Sequence, residues 1–151
     1  MSERKLDPDS SAVQTHLQIM QDVIRRMAEN SRSCKVWCVT LVSATLVLVA
    51  QTGNAQNALI ALVPTVLFLV LDTYYLALER AFRNSYETFV SKLHKGDLAS
   101  SDIYLVKPTG MGWKLDWRCL WSVSILPFYL LLVVTIVLSW LVIVPSNTLV
   151  T

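Results

Sequence analysis

The residues best placed to do chemistry are few. Asp72 comes first: it stands alone in the apolar run ALIALVPTVLFLVLDTYYLAL, where a carboxylate is costly unless it faces protein or water. Two roles suit it. Either it pairs with a cation from a neighbouring helix, for which Lys35 is the obvious partner, or it lines an aqueous path and favours cations there. A proton relay would need a second acidic group to support it, and the apolar runs supply none. The second candidate set is basic, with Arg25, Arg26 and Arg32 on one helical segment and Arg80 and Arg83 on another. In a single copy these arginines read as topology signals attracted to an anionic leaflet. Gathered from several copies, they would form an anion site suited to the phosphates of a nucleotide or short oligonucleotide.

Other chemistry is thin. Cys34 and Cys38 share a helical face, yet no third or fourth ligand lies nearby, so they are expected to pack between helices as small apolar residues rather than hold a metal. Cys119 makes an odd total of three, against a closed set of disulfides. His16 and His94 are far apart and fit no ligand spacing such as HExxH. The PTGMG run is too short for a phosphate loop, and no serine sits in a nucleophile elbow. The sequence therefore predicts no catalytic residue, no metal, no cofactor and no enzyme.

The elements that must position Asp72 and the arginines follow from composition. The 151 residues are 54% hydrophobic and only 16% charged, with mean hydropathy +0.48. Soluble domains carry about 25% charged residues, so part of this chain is solvated by lipid. Residues 1–33 predict a cytoplasmic amphipathic helix, capped at Asp9, Ser10 or Ser11. Its apolar residues Val13, Leu17, Met20, Ile24 and Met27 form a heptad seam. That seam packs on the protein's own cytoplasmic helix, on copies of itself, or, given Arg25 and Arg26, on the membrane surface. The polar start of the chain predicts no cleavable signal peptide.

Residues 34–52 predict a first span, with Lys35 snorkelling and Trp37 at the interface. After a short uncharged loop, residues 57–78 predict a second, with a kink or local loosening at Pro64. The helical pattern continues past 78 as a cytoplasmic stalk, in which Leu78, Phe82, Phe89 and Leu93 share a face and Glu79 pairs with Arg83. Gly96 should stop it. The rest of the 79–118 segment holds two β-prone runs around Pro-Thr-Gly that predict a small hairpin, seated on headgroups by Trp113 and Trp117. Residues 119–144 contain no charge and predict a third span with a kink at Pro127, leaving 145–151 as an extracytoplasmic tail. Every Lys and Arg precedes the middle of the first span or lies between the second and third. The positive-inside rule then puts the N-terminus in the cytoplasm and the C-terminus outside. The expected fold class is an all-α integral membrane protein with three transmembrane helices.

Two runs carry a family likeness: LQIMQDVIRRMAENSRSCKVWCVTLVSATLVLVA and ALIALVPTVLFLVLDTYYLALERAFRNSYETFV, within about residues 17–90. They resemble small bacterial membrane effectors of antiphage defence loci. In these a helix ending in an RMAxNS-like stretch enters the first span, and a span ending in LDxYYLxxER continues as a cytoplasmic helix. The matching positions are Arg26, Met27, Asn30, Ser31, Lys35, Trp37, Asp72, Tyr74, Tyr75, Glu79, Arg80 and Arg83. The chain is similar to the channel component of the Hailong system, and less closely to SLATT-type two-span effectors, which lack its long third span and hairpin-like insert. The resemblance implies a homo-oligomer, a tetramer for preference, forming a normally closed channel in the bacterial inner membrane. It further implies control by a nucleotide or oligonucleotide, a nucleotidyltransferase partner encoded nearby, and depolarisation of the membrane during infection. The alternative is a small scaffold or accessory subunit that recruits a soluble cytoplasmic partner. A transporter is disfavoured, since three spans without an inverted repeat make no substrate site within one chain.

Overall fold

The computed structural model describes residues 10–53, 55–109 and 117–148. Among them every regular element is helical: α1 (Ser11–Thr52), a 3₁₀ segment (Ala55–Ala61), α2 (Leu62–Lys95), a 3₁₀ turn (Ser100–Asp102), α3 (Trp117–Leu120) and α4 (Leu126–Thr148). Ser10 is the residue that caps α1, its hydroxyl accepting the Val13 N–H at 3.4 Å. Asp9, the acidic candidate for the cap, lies outside the described residues. The expected amphipathic helix and first span are one unbroken helix of 42 residues. At 1.5 Å per residue α1 extends about 63 Å and α2 about 51 Å. Two helices, Ser11–Thr52 and Gln56–Lys95, are long and apolar enough to cross a membrane by length and composition.

Contacts group the chain into two units. The first draws on Met1–Glu29 and Tyr75–Leu115. Its core is Val13, Met20, Phe89, Leu98 and Ile103, flanked by Leu17, Tyr86, Leu93 and Val106. Val13, Leu17 and Met20 are thus the part of the heptad seam that meets the stalk, and His16 is buried beside them at 1% exposure. On the stalk the buried row is Ala77, Ala81, Ser85 and Phe89, at a strict four-residue pitch. Leu78 and Phe82, expected on that face, are only half-buried. The small residues of the buried row leave room for the returning chain.

That returning chain corrects the hairpin. Residues 103–109 form no strand; the second run falls largely outside the described residues. The backbone of the first run finds its partners on the helices instead. Tyr104 N–H donates to His16 Nδ1 at 3.2 Å, and Thr109 N–H donates to Ser85 Oγ at 2.9 Å. Ser85 Oγ in turn donates to the Lys107 carbonyl at 2.7 Å. A β-prone run has no need of a second strand once side chains satisfy its backbone groups. Leu98–Thr109 therefore forms a clasp on the helices, anchored at one end by Lys92 on Asp102 (2.9 Å). Tyr104 sits in the clasp at φ +69°, a left-handed conformation that costs a residue with a Cβ about 1 kcal/mol.

The second unit draws on Asn30–Tyr74 and Asp116–Thr151. α1 ends at Gly53, whose φ of +66° lets its N–H return to the Val49 carbonyl at 3.0 Å. The expected loop is shorter than predicted, because the 3₁₀ segment starts at Ala55. Pro64 does not kink a continuous α-helix. It lies in the first turn of α2, just after the 3₁₀ segment, where a missing N–H costs least and the ring escapes a clash with the preceding turn. Pro127 behaves in the same way: α4 starts at Leu126, not Cys119, and Pro127 opens it rather than bending it. Between them, Ser122 accepts N–H groups from Ile125 and Leu126 at 3.0 Å each, turning the chain into α4. The helix runs on to Thr148, past the expected end at 144. Ile125, Tyr129, Leu132 and Ile136 are its buried row, and α4 packs on the 3₁₀ segment.

The stalk stops where the sequence put the stop. Gly96 N–H reaches the Leu93 carbonyl and Asp97 N–H the Lys92 carbonyl, both at 3.1 Å, a Schellman closure with Gly96 at φ +69°. A Cβ there would meet no atom within 4 Å. Gly96→Ala should then cost about 1 kcal/mol through conformation alone, seen as faster amide exchange across residues 92–99 and a lowered unfolding midpoint. Gly96→Asn should cost less, because Asn tolerates the left-handed region better.

Candidate functional site

The site is built on two facing helical rows in the second unit. On α1 the buried residues are Ser31, Cys34, Cys38, Val42 and Val49; on the other side they are Ala58, Ala61, Thr65, Asp72 and Thr73. Most of these side chains are small, which lets helix backbones approach closely. Asp72 is 0% exposed and lies between the rows. Ser31 and Lys35 stand one turn apart on α1, so both project toward it. The Ser31 hydroxyl donates to Asp72 Oδ1. The Lys35 ammonium lies 2.6 Å from Oδ2 and 3.4 Å from Ser31 Oγ. Each carboxylate oxygen therefore has its own partner, one neutral and one charged. Tyr129 on α4 brings a buried phenol within electrostatic reach of the same carboxylate. One turn farther along α1, the Cys38 thiol approaches the Pro64 carbonyl at 4.0 Å.

The pairing alternative predicted for Asp72 and Lys35 is thus realised within one chain. The two charges differ in burial: the Lys35 side chain is 18% exposed and the Asp72 side chain 0%. This suits a long aliphatic stem whose head reaches toward a polar boundary. Ser31 and Tyr129 complete the site, and neither was marked as a site residue by sequence. Ser31 carries a signal all the same, being four residues before Lys35 on the face that must meet Asp72. Tyr129 is a polar handle on a helix with no charge, at the four-residue pitch of its buried row.

The arginines are arranged differently. Arg25 binds its own helix neighbour Asp22 at 3.0 Å, and Arg83 binds Glu79 at 2.7 Å, the pair expected from the i,i+4 spacing. Arg26, Arg32 and Arg80 are exposed. Within one chain, then, Arg25 and Arg83 are partly neutralised by carboxylates one turn away. Cys34, Cys38 and Cys119 are all buried, and none of them forms a disulfide. Among the described residues no three His, Cys, Asp or Glu side chains are placed to hold a metal ion.

No family model, curated protein or solved structure matches the chain.

A buried ion pair is fragile to the loss of one member, because the other charge is left without a partner. Asp72→Asn should destabilise the protein by about 3 kcal/mol, measured by unfolding in detergent micelles. Asp72→Asn with Lys35→Met should recover at least half of that loss. Additive losses in the double variant would show that the two charges are not coupled.

Proposed function

We propose that this chain is the pore-forming subunit of a normally closed, homo-oligomeric ion channel in the bacterial inner membrane, a tetramer for preference, acting as an effector of antiphage defence. The observation that carries this reading is the fully buried carboxylate Asp72, held by Lys35 and Ser31 among apolar helices. Charged groups in such segments seldom serve packing alone; they mark ion paths and relays. Held by its partners, the carboxylate presents no charge to a passing ion. Opening consists of separating Lys35 from Asp72 so that the carboxylate faces water and favours cations.

Membrane residence is supported by how the apolar helices treat their polar groups. Val36, Trp37, Val63, Val66, Leu130, Leu131 and Val142 are exposed large side chains on α1, α2 and α4, a surface that water would not tolerate over such an extent. The exposed hydroxyls of Thr40 and Thr135 donate back to the Val36 and Leu131 carbonyls at 2.9 Å each. Internal satisfaction of this kind is what hydrocarbon demands. In this proposal α4 is the third span. The one-sided distribution of Lys and Arg sets the N-terminus and the stalk in the cytoplasm and the C-terminus outside.

Control by a nucleotide or oligonucleotide is supported by Arg25, Arg26, Arg32, Arg80 and Arg83, of which one copy offers too few for tight binding and a ring of copies offers enough. A nucleotidyltransferase encoded nearby would supply that ligand. The scaffold reading has its own observation: Asp72 is already neutralised inside one chain, which suits a purely architectural ion pair.

Reconstitution in liposomes loaded with a potassium-sensitive dye separates the two. A channel should pass potassium in response to an added nucleotide or oligonucleotide, and Asp72→Asn should change the flux several-fold. A folded, oligomeric protein that passes no potassium under any such ligand would overturn the channel and favour the scaffold.

A further inference from the structure

The clasp of the first unit carries a titratable group that the proposed channel does not use. His16 is 1% exposed, lies tilted against Phe89 with ring centroids 4.6 Å apart, and accepts the Tyr104 N–H through Nδ1. An imidazole nitrogen that accepts a hydrogen bond carries no proton, so His16 is neutral here, with its proton on Nε2. We propose that His16 is a proton-binding site whose occupation releases the Leu98–Thr109 clasp from the helices.

Protonating Nδ1 would set one N–H against another, and the bond to Tyr104 would be lost. Tyr104 holds a left-handed backbone at φ +69°, a conformation that persists only while its surroundings impose it. Loss of its acceptor therefore frees a strained residue at the centre of the clasp. Beneath it, Ile103 and Leu98 belong to the core with Val13, Met20 and Phe89, so release uncovers that apolar surface.

The charges around His16 decide whether a proton could be accommodated in place. Asp102 is the carboxylate that faces it and favours the charged form. Both Asp102 oxygens are already engaged, Oδ1 with the Lys92 ammonium at 2.9 Å and Oδ2 with the Ala99 N–H at 3.1 Å. Lys92, from α2, is the cation paired with that carboxylate. Burial acts most strongly and holds the His16 pKa below its ordinary value of 6.5, with Asp102 working the other way. The sign follows directly. A released His16 binds a proton at its ordinary value and a clasped one only at lower pH, so the open clasp takes up more protons. The clasp is fully held above about pH 6.5 and loosens as pH falls through that value. Asp102 itself is kept below the usual carboxylate range by Lys92 and by the Ala99 N–H, so it stays ionised over this window. His94 is exposed near the end of α2.

The neighbouring cavity of about 190 Å³, lined by His16, Ser85, Lys92 and Lys107, is too small for a drug-sized ligand. The ammonium of Lys92 is already taken by Asp102. A proton is the ligand that this geometry suits.

The test is amide exchange of the full-length protein in nanodiscs between pH 7.5 and pH 5.5, each rate corrected for intrinsic exchange. Exchange across residues 103–106 should rise toward a ceiling of about tenfold at pH 5.5, set by an ordinary imidazole one pH unit below its pKa. His16→Gln keeps a hydrogen-bond acceptor and cannot titrate, so its exchange should be independent of pH. His94→Gln should behave as the unmodified protein does. Equal protection at both pH values in the unmodified protein would overturn the proposal. So would an unchanged pH dependence in His16→Gln, or its loss in His94→Gln.

Discussion

A carboxylate with no access to solvent sets the terms for the apolar half of this molecule. Asp72 is tolerable only because Oδ1 accepts the Ser31 hydroxyl and Oδ2 faces the Lys35 ammonium, and those two partners fix what α1 must be. Ser31 and Lys35 have to stand one turn apart, and the side chains between and beyond them have to be small enough for the helices to come close. Cys34, Cys38, Ala58 and Ala61 meet that need. A buried ion pair of this kind is weak evidence of net stability, since its desolvation cost rivals its attraction. It does fix register strongly. Sliding α1 by one residue along its partner would turn Ser31 and Lys35 away and leave the carboxylate without a donor.

The same accounting explains the hydroxyls. Thr65 and Thr73 are buried on the same helix as Asp72, and they donate to the Ala61 and Leu69 carbonyls of that helix. They leave the carboxylate to Ser31 and Lys35. Hydroxyls that satisfy themselves locally add no second claim on Asp72 and no unpaired polar group among the apolar residues. The first unit works by a different rule. There the Ser85 hydroxyl, besides meeting the Ala81 carbonyl of its own helix at 3.1 Å, links the Lys107 carbonyl to the Thr109 N–H, because an irregular segment has no ladder of its own to satisfy its backbone.

How much of this could be read from residues alone depends on whether the controlling interaction was local. Gly96, the Glu79–Arg83 pair and the heptad residues Val13 and Met20 are local or periodic, and the sequence placed them correctly. Asp72 and Lys35 lie far apart in sequence, but a charge in an apolar run must find its opposite at a similar depth, so the pairing was legible too. The helix starts were not. At Pro64 the expectation of a kink or local loosening is met by the second, since the segment just before α2 is 3₁₀; Pro127 stands in the first turn of α4 instead of bending a helix, and hydropathy does not mark where a turn begins. Nor was the clasp legible, because the acceptors that replaced a second strand are His16 and Ser85, whose value to residues 104–109 exists only in three dimensions. His16 fits no ligand spacing in the sequence, and its partner is a backbone N–H.

The choice of lysine, rather than arginine, opposite Asp72 bears on the channel reading. A guanidinium would grip both carboxylate oxygens with a planar fork, a bidentate pairing that is hard to part. An ammonium on a flexible stem meets only Oδ2 and leaves Oδ1 to Ser31. The partial exposure of Lys35 against the complete burial of Asp72 shows which charge has somewhere to go. Withdrawing Lys35 toward a polar boundary costs a rotamer change, and hydration of the ammonium offsets part of the lost attraction. Withdrawing Asp72 would require moving α2 itself. In the channel we propose, the Lys35 side chain is therefore the moving element. A signal that swings its ammonium toward the polar boundary would unpair the carboxylate, whereas Ser31, still bonded to Oδ1, would keep Asp72 from turning into the packed helices.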